Sequence, residues 1–150
     1  MEETLFVCPL TRGERILVAL DGSKHSEKAL DQAISMAKIC NSTLFAMSVI
    51  ELYPEQLAVA PALEEKLLAE TRQILERAAN RAKEENIACQ TIIHVGAHPH
   101  KFIIQEAKGK NIDLVVMGTH GRTGLKRLVM GSVAERVIGE APCAVMVTPA

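Results

Sequence analysis

The 150-residue sequence predicts an α/β fold: a single domain on a five-stranded parallel sheet with helices on both faces. Three observations carry this reading. Strand-like and helix-like stretches alternate as β-α-β-α-β-α-β-α-β, and right-handed helical crossovers join parallel strands. The strand-like runs are almost continuously apolar, as strands covered on both faces must be. Finally, 48% hydrophobic and 23% charged residues in a chain of this length suffice for one core without staples.

Taken in order, residues 1–13 read as an irregular lead-in, or an arm packing on a partner, and residues 14–150 as the domain. Residues 15–21 (RILVALD) form a short apolar run that leaves the sheet at Asp21-Gly22-Ser23. Ser23 is a fitting N-cap for a helix over residues 26–40, whose Ala29, Leu30, Ala33, Ile34, Ala37 and Cys40 make one apolar stripe. A second strand follows at 42–50, then a loop around Pro54. A long helix over 61–85 carries Leu63, Leu67, Leu68, Ile74, Leu75, Ala78 and Ala82 on one side and a solvated charged face on the other. Residues 89–95 (CQTIIHV) are the third strand, 96–99 a turn, and 100–108 a short helix stopped near Gly109. The fourth strand, 113–117, ends at Gly118. A glycine-rich loop runs to Gly131, 132–138 is a short helix, and 144–148 (AVMVT) is the last strand, expected at a sheet edge.

Composition excludes several functions. Lys+Arg 17 against Asp+Glu 18 gives a net charge of -1, which argues against nucleic-acid or membrane-surface binding through bulk charge. Aromatic residues are 3% and Trp is absent, too few for a base-stacking platform. Cys8, Cys40, Cys89 and Cys143 are scattered, with no C-x-x-C, and read as small core hydrophobes in a reducing compartment. Glu2 and Glu3 stand where a signal peptide wants basic residues, and no apolar run is long enough to span a membrane, so a soluble, cytoplasmic protein is expected. His94, His98 and His100 are spaced H-x-x-x-H-x-H, but Pro99 interrupts them and no acidic residue adjoins, so a solvated turn is expected and no metal site. His25 reads as an exposed first-turn residue. Met36, Met47, Met117, Met130 and Met146 fall on apolar faces and read as core.

In open α/β sheets, ligands bind beyond the carboxyl ends of the strands, where the strand order reverses. The richest strand end here is Gly118-Thr119-His120-Gly121-Arg122-Thr123-Gly124, followed by Gly131-Ser132 at the mouth of a helix. Glycines admit a ligand closely, and a helix N-terminus offers unpaired N–H groups to a phosphate. Ser132 adds a hydroxyl, and Arg122, Lys126 and Arg127 add positive charge. The same glycines also fit plain turns and caps. Neither G-x-G-x-x-G nor a P-loop occurs. Asp21, at the tip of the first strand, can accept hydrogen bonds from ribose hydroxyls or serve as a turn aspartate.

The spacing Gly118-x-x-Gly121, nine residues, then Gly131-Ser132 resembles the G-x2-G-x9-G-[ST] signature of the universal stress protein family. The strand ending ALDGS and the C-terminal APCAVMVTP are similar to that family's first motif and last strand. The resemblance covers roughly residues 14 to 148. It implies a Rossmann-like fold of the adenine nucleotide alpha hydrolase type and membership of the ATP-binding branch. By its implication Asp21 holds the ribose with Ala19 near the base, Val49 touches adenine, and Met117 and Gly118 line the base and ribose. His120, Gly121, Gly131, Ser132 and Val133 cradle the phosphates. Ala134 stands where some members carry a hydroxyl, a departure that weakens the triphosphate grip. The implied ligand is ATP with Mg²⁺, and the implied assembly a homodimer through residues 144–148. No base to activate water is evident, so hydrolysis is expected to be slow at most. Two rival readings are a dimeric interaction protein of the same fold without nucleotide, and an enzyme using an adenylate intermediate. The absence of S-G-G-x-D-S or H-x-G-H motifs counts against the second rival.

Overall fold

In a computed structural model, residues 6–120 and 130–149 are described. The elements are β1 (Arg15–Ala19), α1 (Lys24–Cys40), β2 (Thr43–Ile50), α2 (Pro54–Val59), α3 (Leu63–Glu84), β3 (Cys89–Val95), α4 (Pro99–Gly109), β4 (Leu114–Gly118), α5 (Ser132–Glu140) and β5 (Ala144–Thr148). All strand pairs are parallel, in the order β3-β2-β1-β4-β5.

Alternation along each strand divides the core. Ile16, Val18, Leu44, Ala46, Leu114 and Val116 face one side and pack with Ala29, Ala33 and Ala37 of α1 and Leu75, Ala78 and Ala82 of α3. Leu17, Phe45, Met47, Val115 and Met117 face the other and pack with Ile103, Ile104 and Ala107 of α4 and Ala134 and Val137 of α5. Both faces of β1, β2 and β4 are covered, which is why those strands carry little polar alternation.

The expected N-cap is in place: the Ser26 N–H donates to Ser23 Oγ at 3.2 Å. Asn41, in the left-handed region at φ 53, ends α1 with its N–H on the Ala37 carbonyl. Asp113 Oδ2 accepts from the N–H groups of Glu14 and Arg15, both at 3.0 Å, and ties the starts of β1 and β4.

Some expectations are corrected. The segment around Pro54 is a helix, α2, started by proline's fixed φ, and it buries none of its residues. The stripe on α3 is fully buried only toward its C-terminal end, at Thr71, Leu75, Ala78 and Ala82. Leu63, Leu67 and Leu68 are half-buried. Met130 is 37% exposed rather than core. None of the four cysteines is fully buried. Cys8 and Cys40 form a disulfide that fastens the lead-in to the end of α1, while Cys89 and Cys143 are free thiols packed at the rims of the two cores. Burial pushes both free thiols above their ordinary pKa. Residues 6–13 form neither helix nor strand. Among the described residues, no helix is long and apolar enough to cross a membrane.

Candidate functional site

The chain runs from β1 outward to β3, then returns past β1 to β4 and β5, so the strand order reverses between β1 and β4. Above that point, at the carboxyl ends of β1, β2 and β4, lies a cleft of about 400 Å³. Nine of the ten predicted site residues line it: Ala19, Asp21, Val49, Met117, Gly118, His120, Gly131, Ser132 and Val133. The tenth, Gly121, lies outside the described residues, as do Arg122, Lys126 and Arg127.

One end of the cleft is apolar. Met47 and Val49 of β2 form its floor, Leu67 and Ile74 of α3 one wall, and Pro99 and Ile103 of α4 another. This explains half-buried Leu67, since that part of α3 faces the cleft. Thr71, buried in that wall, is the polar interruption of an apolar stripe and the one signal by which the sequence could have placed α3 here.

The other end is polar. Asp21 sits in a tight turn after β1, where its Oδ1 accepts the Ser23 N–H at 2.9 Å and its own N–H donates to Ser26 Oγ at 3.3 Å. That turn fixes the carboxylate on the cleft rim, so the turn and ligand-facing readings of Asp21 coexist in one conformation. Opposite it, α5 begins. Gly131 occupies the cap position, where it has no side chain to cap the helix. Ser132 is the exposed first residue of α5, not its cap. The start of α5 faces the cleft, and a helix N-terminus suits an anion.

Two glycines are required by close approach. A Cβ on Gly131 would stand 2.9 Å from the Thr119 carbonyl oxygen, which also accepts the Gly131 N–H at 2.7 Å. A Cβ on Gly118 would stand 2.6 Å from the His25 Cβ. His25 is therefore no exposed first-turn residue. It is half-buried against the end of β4, with Nδ1 3.3 Å from Thr119 Oγ1 and its ring 5.4 Å from that of His120. Sequence reasoning missed it because 94 residues separate His25 from Thr119.

Of His94, His98 and His100, exposed His98 sets its ring edge-on to that of His100 at 6.1 Å, and His94 turns elsewhere. His94 Nε2 lies 2.8 Å from Glu106 Oε1, and its ring stacks on Phe102 at 4.8 Å. His100 is buried. The expected solvated turn without an acidic partner is thus corrected, since α4 brings Glu106 back over β3. Burial raises the Glu106 pKa, but hydrogen bonds from Lys110 and His94 outweigh it and hold the carboxyl below its ordinary range. Burial, reinforced by the charge of Arg136, holds His100 below the usual imidazole value. Among the described residues, no three metal-ligating side chains cluster.

Residues 13–149 match the model of the Universal stress protein family. Universal stress protein MJ0531 of Methanocaldococcus jannaschii is 36% identical over 140 residues, covering 89% of this chain and 81% of that protein. Universal stress protein YxiE of Bacillus subtilis is 33% identical over 147 residues, covering 89% and 97%. Among solved structures, that of the M. jannaschii protein MJ0577 superposes with a TM-score of 0.82 at 26% identity, covering 93% of this chain and 98% of that one. A universal stress protein solved in complex with cAMP superposes at 0.67 with 25% identity, covering 93% and 98%. Structures bearing dAMP, from Archaeoglobus fulgidus, and AMP, from Arabidopsis thaliana, share the fold at 21% and 19% identity.

Proposed function

This chain belongs to the universal stress protein family, and we propose that within it the chain is an ATP-binding, nucleotide-dependent regulatory module of the stress response. The observation that carries the reading is the two-ended cleft. An apolar slot between α3, α4 and β2 suits a purine, Asp21 at the rim suits ribose hydroxyls, and the start of α5 suits phosphate. Relatives of the same fold that hold cAMP, dAMP and AMP support an adenine nucleotide as the ligand class. In this reading Ala19, Val49, Met117 and Gly118 contact the nucleoside. His120, Gly121, Gly131, Ser132 and Val133 surround the phosphates.

No cluster of acidic or imidazole ligands among the described residues suits a resident cation. In this reading Mg²⁺ comes with ATP, held by phosphate oxygens and water. Ala134, buried beside Val137, offers the phosphates no hydroxyl. Binding, with slow hydrolysis at most, is the proposed activity. The proposed compartment is the cytoplasm, where a Cys8–Cys40 bond is an exception. The proposed assembly is a homodimer through β5, an edge strand with half-buried Val145, Met146 and Val147.

Titration calorimetry of the full chain with ATP and Mg²⁺ tests the function. Micromolar affinity, about −8 kcal/mol, is expected. Absence of both heat and thermal shift at millimolar ATP overturns the reading and leaves the nucleotide-free interaction protein in its place.

A further inference from the structure

We propose that Cys8 and Cys40 are a reversible thiol–disulfide site, opened by a protein dithiol of the C-x-x-C class, and that opening it frees residues 8–12 from the end of α1. The bond joins the lead-in to Cys40, the last residue of α1. It is no staple of the core: Ile16 and Val18 of β1 and Ala33 and Ala37 of α1 are buried in a cluster that contains neither cysteine. In a reducing cytoplasm, the compartment proposed above, a disulfide is as a rule transient and serves catalysis or redox sensing. Cys8 and Cys40 are both half-buried, so a thiolate in solution can reach the pair. The free thiols compete poorly, because burial holds Cys89 and Cys143 above the ordinary thiol pKa and away from the reactive thiolate form.

Little else holds the segment. Among the described residues, no backbone hydrogen bond ties residues 6–12 to a strand or helix. Leu10 packs half-buried on the α1 side of the core, while Phe6 and Val7 are exposed. The firm anchor comes after the segment: the Ser42 hydroxyl donates to the Gly13 carbonyl, and the Glu14 carbonyl accepts the Thr43 N–H at 2.8 Å. Gly13 also lies against the pair, since a Cβ there would stand 2.8 Å from both Cys8 Sγ and Cys40 Cβ. Residues 8–12 are thus a short loop fixed beside Cys40 at both ends, at one of them by a bond that thiols can cut. A thiolate of the reductant attacks one sulfur of the pair, forming a mixed disulfide and releasing the other sulfur as a thiolate. The reductant's second thiol then displaces the mixed disulfide. The chain gains two electrons and two protons as two thiols, and the reductant leaves as a disulfide. Glutathione disulfide reverses the change and leaves as two glutathione thiols.

The tests use the folded full chain, oxidised with glutathione disulfide. Thioredoxin with its reductase is the probe, and NADPH oxidised in equal moles to protein is expected without denaturant. Amide relaxation NMR then reads Leu10, Thr11 and Arg12. Their order parameters should fall from about 0.8 to below about 0.6 on reduction and recover when glutathione disulfide is restored. Amides of β1 and α1 should stay rigid throughout. Cys8→Ser and Cys40→Ser should consume no NADPH and show the low order parameters in both conditions. Cys89→Ala combined with Cys143→Ala should behave as the parent. A bond that thioredoxin opens only in unfolded chains overturns the proposal. So do order parameters unmoved by reduction, or four free thiols after treatment with glutathione disulfide. ATP enters none of these measurements, so a failure of nucleotide binding leaves them decisive.

Discussion

At Ser132 two roles compete, phosphate donor and helix cap, and the geometry separates them. Gly131 holds the cap position and Ser132 is the exposed first residue of α5, so its hydroxyl contributes little to the helix. Ser132→Ala is expected to change the unfolding free energy measured in urea by no more than about 0.5 kcal/mol, as for a surface change. It should weaken ATP roughly 10- to 150-fold, the worth of a hydrogen bond to a charged group, and adenosine hardly at all. ATP affinity unchanged in this variant would remove Ser132 from the phosphate assignment. Asp21→Ala should instead weaken both ligands, since ribose is common to them, and should also loosen the turn by removing the acceptor of the Ser23 N–H. Glu106 gives a residue-scale pH test. Its folded pKa lies below the ordinary value, so the stability it contributes is present at neutral pH and lost as the pH falls through that lowered pKa. The parent should converge on Glu106→Gln in acid, and denaturant midpoints measured down to about pH 2 show whether the two curves meet.

Among the elements, α3 does two jobs along its length. Its C-terminal end is core: Leu75 is 3% exposed, and α3 packs on β2 and β3. Leu75→Ala is expected to cost about 2–4 kcal/mol, because the packed sheet beneath it cannot collapse into the gap. Leu67 sits two turns earlier on the cleft wall and is only half-buried. Leu67→Ala should cost less than about 1 kcal/mol of stability yet weaken adenosine as much as it weakens ATP. Equal stability losses at the two sites would contradict this division. The apolar stripe was legible in the sequence as one continuous face. Its division into core and wall was not, because the heptad-like pattern is the same whether a leucine meets a sheet or a ligand.

For the whole molecule, the Cys8–Cys40 bond closes a loop with a sequence separation of 32 across the lead-in, β1 and α1. Chain entropy puts its contribution near 3–4 kcal/mol at most. Thiol titration of the unfolded, unreduced protein should find two thiols, those of Cys89 and Cys143, and reduction should lower the thermal midpoint. Four thiols without a reductant would show that the bond does not form. The open edge at β5 carries the second molecular-scale test. Light scattering at micromolar protein is expected to give a dimer mass, and Val145→Lys, which puts charge on that edge, a monomer. A monomeric parent rules the edge out as the interface.

What the sequence determined by itself is local and periodic. The number of strands, their continuous apolarity, the Ser23 cap and the glycine spacing from Gly118 to Gly131 are properties of short stretches, and each appears where those stretches place it. The position of the cleft was legible too, because in a parallel sheet every strand ends on the same edge and turn residues mark those ends. Tertiary structure alone decided which distant residues meet. It brought Thr71 from α3 into the cleft wall, Glu106 onto His94, Cys8 onto Cys40, and His25 onto Thr119 across 94 residues. The physical reason is common to all four. Hydrophobic patterning says that a face is buried but not against what, because burial is nondirectional. Partners are selected only when the strand order is fixed and helices are seated at packing distance on the sheet.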